Sequence, residues 1–170
     1  MNIIGNKNKF AIEYSIVFTK KKTAYGDCII WLEGKCLGGL EGECYLNMIC
    51  QWLERQVEFK DNLFFTEDLY KLSSQELFNF MEEKAEYEIK ENYRFLDTEG
   101  FDLFRSYIYR KDDKFNFIWQ LDRDYWEEFK AQDVSIKLFT ATVDIKIYCD
   151  IIFQFKNALL ERYNLNSLNI

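Results

Sequence analysis

Carboxylates are the side chains of this sequence that could do chemistry. Glu82, Glu83, Glu86, Glu88 and Glu91 crowd into ten residues, and Asp97, Glu99 and Asp102 follow closely. A second group, Asp122, Asp124, Glu127 and Glu128, flanks the aromatic pair Tyr125-Trp126. Two such carboxyl groups could serve as an acid/base pair on a glycoside, or hold Mg²⁺. They could equally be a solvated helix face, with Lys84, Lys90 and Arg94 interleaved and Glu86–Lys90 at the favourable i, i+4 spacing. A third use is docking. Acidic surfaces attract basic partners, and aromatics set among charges serve as interface anchors.

The other reactive residues narrow the field. The chain has 0 His, which removes serine and cysteine triads, the usual zinc hydrolase sites and the commonest general base near neutral pH. Of the 5 Cys, Cys28, Cys36, Cys44 and Cys50 fall in one stretch and Cys149 stands apart. Their spacings are wide and no Cys-x-x-Cys occurs, so reduced core thiols are expected rather than a metal site. There is no glycine-rich phosphate loop and no nucleophile elbow. The chain is therefore expected to be non-enzymatic, with no catalytic, cofactor-binding or metal-binding residues.

Net charge is −7, and its distribution is uneven. Residues 67–102 hold 11 acidic and 4 basic side chains, while the rest of the chain holds 18 of each, out of 29 and 22 in all. Nucleic-acid binders carry the opposite surplus, so direct nucleic-acid binding is not expected. A nucleic-acid mimic would spread its negative charge more widely.

These carboxylates need elements to position them. Phe10, Ile12, Tyr14, Ile16 and Phe18 share one parity and predict a half-buried strand over 9–19. Asp27–Glu33 reads as a second strand, and Gly34-Lys35 as a tight turn into a third at Cys36-Leu37. Leu46, Ile49, Leu53 and Val57 recur at helical spacing, predicting a helix over 44–58. Ser73-Ser74-Gln75-Glu76 is a capping box that opens a second helix, reaching about Ile89. Residues 102–110 and 114–121 form a hairpin across Asp112-Asp113, and 122–130 read as a loop or short helix. A strand over 134–141 precedes a long C-terminal helix through Ile147, Ile151, Phe155 and Leu159, capped by Thr142 or Asp144. The expected class is α+β. Its sheet is mostly antiparallel and is built from two strand-meander-plus-helix halves, with the helices packed on one side.

With 170 residues, 48% hydrophobic and 18% aromatic, the chain suffices for a single domain over 1–170 with a full core. Pro is absent and Gly occurs 7 times, so no linker is apparent. No apolar run is long enough to span a bilayer, and Met1–Phe10 lacks the pattern of a secretory signal. A cytoplasmic location is expected, with no membrane association.

The opening of the chain carries a family resemblance. Ile4-Gly5-Asn6-Lys7-Asn8-Lys9-Phe10-Ala11-Ile12-Glu13-Tyr14 precedes Tyr25-Gly26-Asp27-Cys28-Ile29-Ile30-Trp31-Leu32-Glu33-Gly34-Lys35, and a loop at Gly38-Gly39-Leu40-Glu41-Gly42 follows. This resembles immunity proteins of the Imm42 type, from bacterial polymorphic-toxin and contact-dependent growth inhibition (CdiI-like) systems. The resemblance spans about the first fifty residues, whose own chemistry is structural. It implies a cytoplasmic inhibitor that binds a cognate toxin domain encoded by the adjacent upstream gene, often a basic nuclease, without a cofactor. The acidic and aromatic residues named above, Glu82–Asp102 and Asp122–Glu128, would supply the toxin contacts. An acidic adaptor or anti-restriction DNA mimic is the alternative, and a carboxylate-based enzyme the third reading.

Overall fold

In a computed structural model of the chain, residues 1–20, 22–39, 44–122 and 137–167 are described, with side chains to 161. The order of elements is β1 (Asn2–Asn6), β2 (Phe10–Tyr14), β3 (Phe18–Lys20), β4 (Thr23–Gly26), β5 (Cys28–Leu32), β6 (Lys35–Gly38), β7 (Cys44–Tyr45) and α1 (Leu46–Glu58). A 3₁₀ turn (Lys60–Asn62), α2 (Glu67–Tyr70), α3 (Ser74–Glu83) and α4 (Tyr87–Tyr93) come next. The chain continues through β8 (Phe104–Lys111), β9 (Lys114–Leu121), β10 (Phe139–Asp144) and α5 (Ile145–Ser167).

The class is α+β. The strands form three antiparallel sheets, ordered β1-β2-β5-β6, β3-β4-β7 and β10-β9-β8. The first half thus supplies two sheets where one meander was expected. The strand predicted over 9–19 divides at Ser15. Its first part joins β5, with Ile12 opposite Ile30. The chain then crosses to the second sheet, where Ser15 N bonds Asp27 O and Val17 N bonds Tyr25 O. Phe10, Ile12 and Tyr14 are buried as the parity requires, but Phe18, beyond the crossing, is 44% exposed. The turn after β5 uses positive φ at Glu33 (50°) and Gly34 (78°), the backbone of a type I′ hairpin.

The main core lies between the first sheet, α1, α5 and one face of β10-β9-β8. Phe10 stacks on Tyr148 at 4.8 Å, and Phe115 meets the same ring edge-on at 5.0 Å. Burying each such ring is worth about 2–3 kcal/mol. The opposite face of β10-β9-β8 is covered too, by a second cluster of Phe65, Leu77, Phe78 and Met81 on Tyr107 and Ile118. Helices therefore lie on both faces of that sheet: α5 on one, α3 on the other. The alternation of β8 and β9 explains this, because Tyr107 and Ile118 pair opposite one another and leave the main core together.

Two boundaries differ from expectation. The helix opened by the capping box stops at Glu83, where both Lys84 N and Ala85 N bond Phe80 O at 2.9 Å and close the last turn. The chain then restarts as α4. Of the strand expected over 134–141, the described part begins at Phe139 and runs on to Asp144; residues 134–136, like most of 122–130, lie outside the described residues. At the start of α5, Asp144 Oδ1 accepts from Lys146 N at 2.8 Å, which makes it the cap.

Candidate functional site

The capping box fixes the start of α3. Ser73 Oγ accepts from Glu76 N at 3.3 Å, and Glu76 Oε2 accepts from Ser73 N at 2.9 Å. Leu77, Phe78 and Met81 bury the inner face of α3 against β8 and β9. That leaves Gln75, Asn79 and Glu83 facing outward, with Gln75 Nε2 donating to Asn79 Oδ1 at 2.9 Å.

Glu82 and Glu83 are neighbours with different fates. Glu82 is half-buried, accepts a hydrogen bond from the Tyr107 hydroxyl and lies 3.4 Å from Lys90 Nζ. Burial comes first, then the Glu82 hydrogen bond, in raising the Tyr107 phenol far above its ordinary range. Glu82 therefore ties α3 to β8 and α4. Lys90 takes this partner in place of the expected Glu86. Glu83 is exposed on the surface.

Asp122, at the end of β9, pairs with Arg105 at 2.6 Å. Glu82, Glu83 and Asp122 come together with Gln75, Asn79, Gln120 and Arg105 around one groove of about 260 Å³. The fold thus joins the two acidic stretches of the sequence at this place. A groove lined by carboxylates and side-chain amides suits ammonium and guanidinium groups, which donate several hydrogen bonds and accept none. Sequence reasoning missed Gln75, Asn79, Arg105 and Gln120. The signals were present in the i, i+4 spacing of Gln75 and Asn79 and in the outward parity of Gln120, opposite Arg105.

The other predicted carboxylates go elsewhere. Glu91 (3.2 Å) and Asp97 both pair with Arg94. Burial works against the Arg94 charge, but Asp97 and Glu91 overcome it and hold the guanidinium protonated. Glu86, Glu88, Glu99 and Asp102 are exposed. Glu99 sits beside a different element, because Gly100 abuts Cys44: a Cβ added there would lie 3.2 Å from the Cys44 Cβ. Asp124, Tyr125, Trp126, Glu127 and Glu128 lie outside the described residues. Among the described residues, no group of three or more Cys, Asp or Glu side chains converges where a metal ion could bind.

The motif at the start of the chain is structural. Glu13 accepts from Lys7 at 2.6 Å and from Trp31 Nε1 at 2.8 Å, and Lys7 lies 4.3 Å over the Trp31 ring. The Lys7 hydrogen bond holds the Glu13 carboxyl below its usual range. Gly5, at φ 97°, has no room for a side chain. A Cβ there would lie 2.4 Å from Phe10 O and 2.6 Å from the Ile151 side chain. The motif thus lets α5 close onto β1 and β2.

A motif-bearing first sheet and a long closing helix thus lie across β10-β9-β8 from the groove. The chain belongs to the family described as Immunity protein 42, whose family model matches residues 1–158. Among solved structures it is similar to CdiI from Burkholderia dolosa AUO158, with a TM-score of 0.66 and 11% identity, over 92% of this chain and 99% of that one. At that identity the likeness is one of fold. None of the curated proteins matches.

Proposed function

We propose that this chain neutralises a cognate bacterial toxin by binding it, and that the toxin is a nuclease whose basic substrate surface is covered by the acidic groove. Membership of the immunity family supports the toxin as partner. The convergence of Glu82, Glu83 and Asp122 is the observation that carries the nuclease reading. A nuclease must be basic where it grips phosphates, so an inhibitor that occupies that surface needs carboxylates on its contact face. Inhibition of this kind is stoichiometric and requires no reaction in the inhibitor. It takes place in the cytoplasm, with the toxin encoded by the adjacent upstream gene.

The test uses the toxin domain encoded beside this chain. Co-expression should restore growth to cells making that domain, and one equivalent of purified chain should abolish its nuclease activity. A toxin domain that neither binds the chain nor is inhibited by it would overturn the assignment. A toxin that is bound but cleaves no nucleic acid would overturn its nuclease part alone.

A further inference from the structure

A sheet ends in two edges, and an open edge is a row of unpaired N–H and C=O groups that can bond another strand. Most edges of this fold are closed. The outer side of β8 is bridged by Leu63 and Phe95: Arg110 N bonds Leu63 O at 2.8 Å, and Phe95 N bonds Ser106 O at 2.9 Å. On β10, Thr140 O accepts from Lys35 Nζ at 2.5 Å, a contact that also occupies the start of β6. Strands β3 and β7 have three and two residues, and Lys20 guards the end of the first. Strand β1 is different. It runs five residues, Asn2 to Asn6, with four of them exposed and Ile3 51% exposed. It carries no charge and no Pro, the usual guards of an edge. Among the described residues, its hydrogen bonds all stay inside its own hairpin: the ladder to β2, and Asn6 accepting from Asn8 N and Lys9 N.

The strand's own sequence indicates what pairs with it. Ile4 lies opposite the buried Ile12, so Asn2, Ile4 and Asn6 share the α5 side of the sheet and Ile3 looks away. A second copy related by a two-fold axis normal to the sheet runs antiparallel and keeps the same side towards α5. Matching faces then require partners of equal parity, and overlap of the whole strand has one register: Asn2 opposite Asn6, Ile3 opposite Gly5, and Ile4 opposite Ile4. Each opposed pair is compatible. The Asn amides both donate and accept, Ile3 meets a residue with no side chain, and the two Ile4 side chains extend the core edge on which each already packs. A basic partner is less suited, because β1 has no carboxylate and its turn carries the exposed Lys9. The acidic surplus does not oppose the pairing. It sits in residues 67–102, and α3 packs on the face of β10-β9-β8 turned away from the first sheet.

We infer that β1 is a self-association edge: two copies of the chain pair through it, antiparallel about Ile4, and merge their four-stranded sheets into one of eight strands. This stands apart from the toxin reading, since the groove lies across β10-β9-β8 from the first sheet. Two five-residue strands bury less than the roughly 1,200 Å² of a standard interface, so association should be weak, with a dissociation constant on the order of 0.1 mM.

Sedimentation equilibrium from about 10 μM to about 1 mM should show the mean mass rising from 20.6 kDa toward twice that value. The β1 amides should gain hydrogen-exchange protection over the same range. Two double variants test the register, and both keep an acceptor for Asn8 N at position 6. Asn2→Asp/Asn6→Asp sets like charges opposite one another at both ends and should weaken pairing at least about tenfold. Asn2→Lys/Asn6→Asp sets opposite charges there and should strengthen it at least about threefold. Both positions are exposed, so thermal melts should match that of the unmodified chain. A chain that stays monomeric across this range would overturn the inference. A dimer that both variants leave unchanged would place the contact elsewhere and overturn it as well. Protection of the β1 amides that appears only when the adjacently encoded toxin domain is bound would give the edge to the toxin and overturn its assignment to a second copy.

Discussion

Cys28, Cys44 and Cys50 are buried, whereas Cys36 is exposed and Cys149 lies between. Burial pushes the Cys44 and Cys50 thiols up to about 12, and Cys28 well above its usual range. The fold therefore favours the neutral thiol, while the unfolded chain loses these protons near pH 8.5–9. Their contribution is fully present below that pH and is lost as pH rises toward the folded values, at up to about 1.4 kcal/mol per pH unit for each thiol. Urea midpoints should hold steady to about pH 8.5 and fall between pH 9 and 11. A midpoint unchanged at pH 11 would refute the burial argument. A thiol reagent at neutral pH should modify Cys36 first and the three core thiols only on unfolding.

At the scale of elements, α3 depends on its cap. Ser73→Ala removes the acceptor for Glu76 N and the partner that holds the Glu76 carboxyl below its usual range. The expected cost is about 1 kcal/mol, a fall of about 2–4 °C in melting temperature by calorimetry. A larger loss would mean that α3 also stabilises the second core cluster beneath it. Such a cap is legible in sequence because all its partners lie within four residues. The β8–β9 hairpin and the α5 periodicity were legible for the same local reason. Strand β1 was not: Asn2, Ile3, Gly5 and Asn6 are exposed, so no alternation marks it. Nor was the division of 9–19 between two sheets, since Phe10 and Phe18 have one parity and opposite environments. The site was legible as composition and illegible as geometry. Nothing local reveals that Asp122 shares a groove with Glu82, or that Arg94 takes up Glu91 and Asp97.

For the whole molecule, the charge surplus should act through rate. Reversing Glu83, Glu86 and Glu88 to Lys should slow association with the toxin domain about tenfold at low salt and flatten its dependence on ionic strength. Glu82 is left out because it holds Tyr107 and Lys90, and its reversal would disturb the fold. Unchanged association in stopped flow would remove this acidic segment from the encounter. A different property follows from α5. Its Tyr148 and Phe155 rings close on Phe10 and Tyr14, at 4.8 and 5.1 Å, so the last helix completes the first hairpin. At about 5–20 residues per second, roughly 10–30 s of translation separate those partners. During that time the inner face of β2 lacks the two rings that cover it. The first hairpin must therefore wait for α5 before its native packing is complete. Shortening the chain to end before Tyr148 should therefore strip hydrogen-exchange protection from β1 and β2, far away in sequence.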